Sequence, residues 1–385
     1  MKNIDKNVIY LGWVSFFTDM SSSMITTLLP VFVVYVLHAG VDKLGFIIAI
    51  ATFISYAFRI LFGYLSDKYQ IVKPFVVTGY FISAISKPLL AYSHTYMSVA
   101  LLRGIERMGK AIRSASKDSL ISTYVKNKQD GKTFGFHKTM DIAGELSGAF
   151  IIFIIFMFIA KDEHSIRMIF ALTLIPGLIA TFIVLFFVKD APKQSEKTTN
   201  VLNKEDYKLL PVLFIYFGFI FFIMSEQFFI LKAREEGYSL INIPLFVMML
   251  TAVQTLVSYY GGILSDKIGV LRVMLLAFIF GILSIFMMPV NLWLSFAFLG
   301  LFTVLSLNAI RAYISAYANS KGFVFGVFYG GVAVFSALGA LIIGYIWKNF
   351  GFENALLVSE TGMGVMFLTL LLWWGITKKP RYSRA

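Results

Sequence analysis

Long apolar runs separated by short polar turns recur along the whole chain. Each run is long enough to cross ~30 Å of hydrocarbon as a helix of ~20 residues. Twelve spans are predicted: Val8 to Leu37, Leu44 to Ser66, Pro74 to Tyr92, Tyr96 to Ser122, Gly135 to Ala160, Ile166 to Val188, Leu209 to Leu231, Ile241 to Ser265, Val270 to Pro289, Leu292 to Ala318, Phe323 to Trp347 and Asn354 to Thr377. The pattern predicts an all-α polytopic membrane protein. The longest polar stretch, KDAPKQSEKTTNVLNKEDYK from Lys189 to Lys208, falls between the sixth and seventh spans. It predicts an N-terminal six-helix bundle over residues 1–188, a linker over 189–208 and a C-terminal six-helix bundle over 209–385.

The polar turns also repeat. GYLSDKYQIVK begins at Gly63 and GGILSDKIGVLR at Gly261, so Gly63 and Gly262 are 199 residues apart, as are Asp67 and Asp266. Each phrase lies between the second and third spans of its half. AIR recurs at Ala111 and Ala309, and Phe134, Gly135, Gly148 and Ala149 return as Phe325, Gly326, Gly339 and Ala340. The chain is a tandem repeat. Parallel six-helix repeats around a midplane site are a common plan of secondary transporters.

Composition fixes the solvent of this reading. The chain is 58% hydrophobic and 14% charged with a mean hydropathy of +0.78, against roughly 25% charged residues in an average soluble domain. It contains no cysteine, which excludes disulfides, thiolate nucleophiles and cysteine metal sites. The first run is too long for the core of a cleaved signal peptide and is read as the first span. With the N-terminus inside, twenty Lys and Arg residues fall on the cytoplasmic side and six on the other, namely Lys43, Lys161, Arg167, Lys232, Arg234 and Lys348. That bias predicts cytoplasmic termini. It also accounts for most of the net charge of +13 without a nucleic-acid partner, the anionic inner leaflet attracting the rest. No phosphate-binding glycine cluster with Lys and Ser/Thr appears, so ATP drive is not expected. No metalloenzyme spacing and no cofactor site is expected either.

The repeated turns resemble the hallmark of the major facilitator superfamily, G-x-L-x-D-[RK]-x-G-[RK]-[RK], and the likeness extends over essentially the whole chain. The first copy keeps Gly63, Leu65, Asp67 and Lys68 but has Gln70 and Ile71 where glycine and a basic residue are usual; the second keeps Gly262, Leu264, Asp266, Lys267, Gly269 and Arg272. The resemblance implies a conformational latch in both copies: glycine lets two helices approach while the aspartate meets cations and a helix N-terminus. DMSSSMITTLLP, LLRGIERMGKAIRSASKDSLI and GKTFGFHKTMDIAGELSG resemble a bacterial branch containing presumed efflux pumps and magnetosome-associated transporters. Ser23 stands where that branch has glutamate, Ser116 where it has proline, and Ala149 where the antiporter motif G-x-x-x-G-P has proline.

The candidate chemistry is concentrated in two spans. On the fourth, Arg103, Glu106, Arg107, Lys110, Arg113 and Lys117 fall within an arc of ~120°. On the fifth, His137, Lys138, Asp141 and Glu145 share a face. An ionised residue facing lipid at mid-span costs about 2.5–3.5 kcal/mol, so these groups are expected to face protein or a water-filled cavity. At ~1.5 Å per residue, Asp141 is expected near the depth of Lys110, Glu145 near that of Arg107, and Asp19 at the same level. The competing reading is a set of structural ion pairs. The repeat argues against it, because Tyr329, Val332 and Ser336 occupy the positions of Lys138, Asp141 and Glu145 in the eleventh span. Glu226 and Arg311 are weaker candidates in the C-terminal half. Arg59 and Lys87 are expected either to add positive potential to the cavity or to extend to the interface.

Together these features predict a proton-coupled secondary transporter of a small organic solute bearing an anionic group, working by alternating access. Export is the first reading, with uptake or release of an iron chelate or other metabolite as the alternative. A non-transporting scaffold or receptor is the alternative of another class. A monomer in the bacterial inner membrane, surrounded by lipid, is expected.

Overall fold

The structure is a computed structural model and describes residues 5–69, 72–124, 130–190 and 204–378. Fourteen helices make up the described residues: α1 (Lys6–Val31), α2 (Val41–Tyr69), α3 (Lys73–Leu89), α4 (Tyr96–Thr123), α5 (Asp130–Phe158), α6 (Glu163–Leu172), α7 (Leu174–Phe186), α8 (Leu210–Phe222), α9 (Glu226–Glu235), α10 (Ile243–Ile268), α11 (Val270–Phe286), α12 (Leu292–Tyr317), α13 (Lys321–Phe350) and α14 (Phe352–Lys378). Among the described residues, nine stretches are long and apolar enough to span a membrane. The apolar parts of α10 and α11 are shorter, and α4 is diluted by its charged stripe. Because α6 with α7, and α8 with α9, each make one crossing, the helices give the twelve spans read from the sequence. Of the expected linker, residues 191–203 lie outside the described residues. Its end is a 3-10 segment (Lys204–Leu209) in which Asp206 accepts from the backbone N–H groups of Asn319 and Ser320.

The two broken crossings have different causes. Pro176 lacks the N–H that Leu172 O would accept, so α6 ends and α7 restarts after Thr173. Between α8 and α9 no proline or glycine intervenes, yet Ile223 and Ser225 are extended (ψ 135° and 154°). The end of α8 therefore leaves carbonyls without helical donors in mid-crossing. Gly339 of α13 packs against Phe221 O just before the break.

The repeat is visible in how glycines seat these helices. Gly144 and Gly148 of α5 lie against the backbone carbonyls of Phe16 and Met20 in α1, as Gly339 does against α8. A methyl group at Gly148 or Gly339 would collide with backbone. Gly148→Ala and Gly339→Ala should each lower stability by about 1–3 kcal/mol, read as a drop in the melting temperature of the purified protein; unchanged melting would show that the paired helices separate freely.

The halves meet at the face away from the chain termini. There the outer ends of α1, α2 and α5 (Met24 to Val33, Val41 to Ala49, Ala149 to Phe156) share one apolar core with α9, α10 and the end of α13. Gly45 sits on Ala340 O, and Gly344 faces Val41 O. At the terminal face the N-terminal half keeps a separate core of Leu11, Val14, Val76, Tyr80, Leu120, Ile121, Ala180, Val184 and Val188. The core shared by the halves continues through the C-terminal half, whereas the terminal end of the N-terminal half has its own.

Candidate functional site

Glycine packing also creates the site. Gly79 of α3 and Gly109 of α4 bring those helices into backbone contact, while Gly144 and Gly148 do the same for α1 and α5. The two tight pairs stand apart, and α4 barely touches α5. A cavity of about 130 Å³ fills the gap, lined by Ser15, Thr18 and Asp19 of α1, Tyr80 of α3, Lys110, Arg113, Ser114 and Lys117 of α4, and Lys138, Asp141 and Glu145 of α5. The fourth and fifth spans thus face each other across a cavity. Its lining carries four cations and three carboxylates, and Lys110 and Lys138 are solvent-exposed although both lie within transmembrane helices.

The polar contacts are specific. Lys117 donates to Ser15 Oγ (3.2 Å), which is 2.9 Å from His137 Nε2. His137 Nδ1 is 3.4 Å from Asp141 Oδ1. This relay ties α4 through α1 to α5. Arg113 is buried, donating to Ser83 Oγ (2.7 Å) with its guanidinium 4.5 Å from the Tyr80 ring centre. Lys87 is fully buried and donates to Thr18 O and Ser21 Oγ. It braces α1 from behind Asp19 and does not extend to the interface. Glu145 interacts electrostatically with Asp19, Lys138, Lys110 and, from the other half, Glu226.

Part of the charged stripe lies elsewhere. Arg103 (0% exposed) is 2.8 Å from Glu106 (1% exposed), and Arg107 Nε is 3.2 Å from the same Glu106 oxygen. None of the three lines the cavity. Arg107, expected at about the depth of Glu145, is turned onto its neighbour Glu106 on α4. Lys110 and Lys138 take the place beside Glu145.

A second cavity, of about 190 Å³, lies at the seam of the halves and is lined by Ile48, Thr52, the α8–α9 break with Ser225 and Glu226, Gln254, Thr303, Ser336 and Ala340, among others. Gln254 donates to Thr303 Oγ1 (2.9 Å). Glu226 is the one ionisable group in this lining. Ser336, the repeat counterpart of Glu145, lines it too. Glu226 and Glu145 therefore face the same interior from opposite halves.

Arg311 lines neither cavity. It donates to the Tyr329 hydroxyl (3.2 Å), and the Tyr329 ring lies under the Arg59 guanidinium (4.9 Å) and beside Tyr56. Arg59 also pairs with Asp118 at 2.8 Å. These contacts make an aromatic and cationic junction between α2 and α13. Of the latch residues, Gly63 faces Ala115 of α4, exposed Lys68 lies over the Tyr64 and Tyr69 rings, Lys267 is exposed and Arg272 lies over Trp374. The side chains of Asp67 and Asp266, and position 262 at Gly262, lie outside what the structure describes.

The fold matches that of known carriers. The sequence profile of the Major Facilitator Superfamily matches residues 11–290. An MFS-type transporter of Methanocaldococcus jannaschii, MJ1317, is 33% identical over 364 residues, covering 90% of each chain. The chain belongs to the Major Facilitator Superfamily. Members among solved structures share its fold: the nucleoside transporter NupG (TM-score 0.76, 14% identity, 97% of this chain and 100% of that one), and a bacterial homologue of the lysosomal transporter Spinster in an inward-facing, occupied conformation (TM-score 0.71, 14% identity, 98% of each chain). The protein is thus an integral membrane transporter of this superfamily and not an enzyme, and a small-molecule substrate follows from the family.

Of the second cavity, the sequence marked Glu226 alone as a candidate. Gln254, Thr303 and Ser225 carry no charge and sit in apolar runs, so only the break at Ile223 to Ser225 could have marked them, and no breaker residue announces it.

Proposed function

We propose that the protein is a proton-coupled transporter of a small organic solute with an anionic group, with export as its working direction. The observation that carries this reading is the solvent-reached cavity between α1, α3, α4 and α5, where Lys110, Arg113, Lys117 and Lys138 outnumber Asp19, Asp141 and Glu145. Cations in such a site attract an anion, and carboxylates beside them compete with it for the same partners. A proton on the carboxylate removes the competitor. Substrate and proton therefore bind together if the carboxylate is filled as the anion arrives, which gives symport; if the proton must leave first, antiport follows.

The moving parts in this reading are the bundles of residues 1–188 and 209–385, joined by residues 189–208. The protein works as a monomer, because the cavities are built within one chain. It lies in the bacterial inner membrane with lipid around it and both termini cytoplasmic. Purified protein in liposomes should move an organic anion when a pH gradient is imposed and stop when a protonophore collapses it. Flux indifferent to the gradient would remove the proton from the account, and absence of flux for every anion would favour a scaffold. Candidates are found by a melting screen against carboxylates, phosphorylated metabolites, siderophores and antibiotics, since a ligand at 100 times its Kd stabilises by ~2.7 kcal/mol.

The latch residues control access in this scheme and not recognition. Asp67→Asn and Asp266→Asn should slow flux while leaving ligand affinity within a few-fold, with Asp266 the more sensitive because its motif is the more complete. Parental rates in both variants would remove the latch role.

A further inference from the structure

Glu226 has no role in anion recognition, yet it stands in a built site. It is the first residue of α9, directly after the mid-crossing break, and it lines the 190 Å³ cavity. No ion pair or hydrogen bond reaches its carboxylate among the described residues, and its charged neighbour across the seam is another carboxylate, Glu145. Ser225 occupies the N-cap position of α9 but makes no cap hydrogen bond, and its Oγ is buried without a partner. The Gln227 Oε1 oxygen beside them is also buried and unpartnered. The break further leaves α8 carbonyls free of helical donors. Two unpartnered side-chain oxygens, at Ser225 and Gln227, thus flank the Glu226 carboxylate, which has no ion pair or hydrogen bond among the described residues. A buried carboxylate without a partner is costly unless a cation joins it.

We infer that the solute is dipolar, its anionic end held by Lys110 and Lys138 in the N-terminal half and a protonated amine held by Glu226 and Ser225 in the C-terminal half. This inference rests on the anion reading above and narrows its substrate class to small amino acids and related ammonium-bearing anions. The anionic end falls in the lysine-lined cavity of about 130 Å³ and the ammonium end in the cavity of about 190 Å³ at Glu226, where about 150 Å³ accommodates a benzene-sized molecule. An ammonium has three donors, which suits one carboxylate, one serine hydroxyl and one further oxygen. Bridging the two halves with one molecule would also give it a means of drawing them together.

The test uses two matched series as probes, the ω-amino acids β-alanine, γ-aminobutyrate and ε-aminocaproate against propionate, butyrate and caproate, with affinity read by calorimetry or melting shift. The ω-amino acid of the fitting length should bind at least about tenfold tighter than its simple carboxylate, as expected for a desolvated charge pair. Glu226→Gln, which preserves shape, should erase that preference and leave carboxylate binding within a few-fold; a matched melting temperature establishes its folding. Lys110→Ala should weaken both series. Equal binding of the two series, with Lys110 still required, would overturn the dipolar inference and leave the anion reading standing. A gain from sodium or from protons at Glu226 without any gain from the amine would overturn it as well. If neither series binds, the anion reading fails and this inference with it.

Discussion

Replacing Glu145 with glutamine should abolish the pH dependence of anion binding between about pH 5 and pH 8 while the protein remains folded. Glu145 shares its cavity with Lys110 and Lys138 and with the acids Asp19 and Asp141. As a carboxylate it competes with an incoming anion for those lysines; once protonated it does not. Affinity in the parent should therefore rise as pH falls, with a limit of about tenfold per pH unit for a single linked proton. Glutamine holds the uncharged state at every pH, so the variant should bind at the parent's low-pH affinity throughout. Ser336 fills the equivalent position in the other half, which shows that the packing around it needs no charge. A parental pH profile in both Glu145→Gln and Asp141→Asn would reduce the cluster to structural ion pairs.

The largest loss of stability is expected at Arg103. Its guanidinium and the Glu106 carboxylate are buried together, with Arg107 completing the group. Removing Arg103 leaves the buried Glu106 carboxylate with Arg107 alone, and breaking a buried pair costs about 3–5 kcal/mol. Arg103→Met should lower the melting temperature and the yield of folded protein far more than Lys110→Met, whose side chain reaches the open cavity. Arg103→Met combined with Glu106→Leu should recover part of the loss, because the under-paired carboxylate is gone. Anion affinity measured on the fraction that folds should stay within a few-fold. Stability equal to the parent in the single variant would mean that water reaches Glu106.

How much of this was legible in the sequence depends on the kind of signal. Spans are written in residue type, and predicted and observed ends agree to within a few residues for most helices. The repeat was legible for the same reason, since Gly148 and Gly339 perform the same packing at an offset of 191. Direction around a helix was harder. Helical spacing placed Arg103, Glu106 and Lys110 on one stripe, but an arc of ~120° is wide enough for its edges to face different neighbours. Arg113 lines the cavity but is drawn to α3 by Ser83 and Tyr80, Lys110 reaches into the cavity, and Arg107 is drawn to Glu106 and lies outside the lining. Lys87 was read as a group of the cavity or the interface, whereas burial against Thr18 O and Ser21 Oγ fixes it behind α1. The break before Glu226 left no local trace, because no proline or glycine stands between α8 and α9.

The central claim, that passage of an anion through the lysine-lined cavity is coupled to movement of a proton, is tested most directly by watching protons as the solute moves. Liposomes containing the protein and an internal pH dye, with no imposed gradient, should show a change in internal pH when an outward gradient of the transported anion is established. That signal should vanish in Glu145→Gln even where anion flux persists. Anion flux in the parent with no accompanying pH change, or an undiminished pH change in Glu145→Gln, would contradict the account.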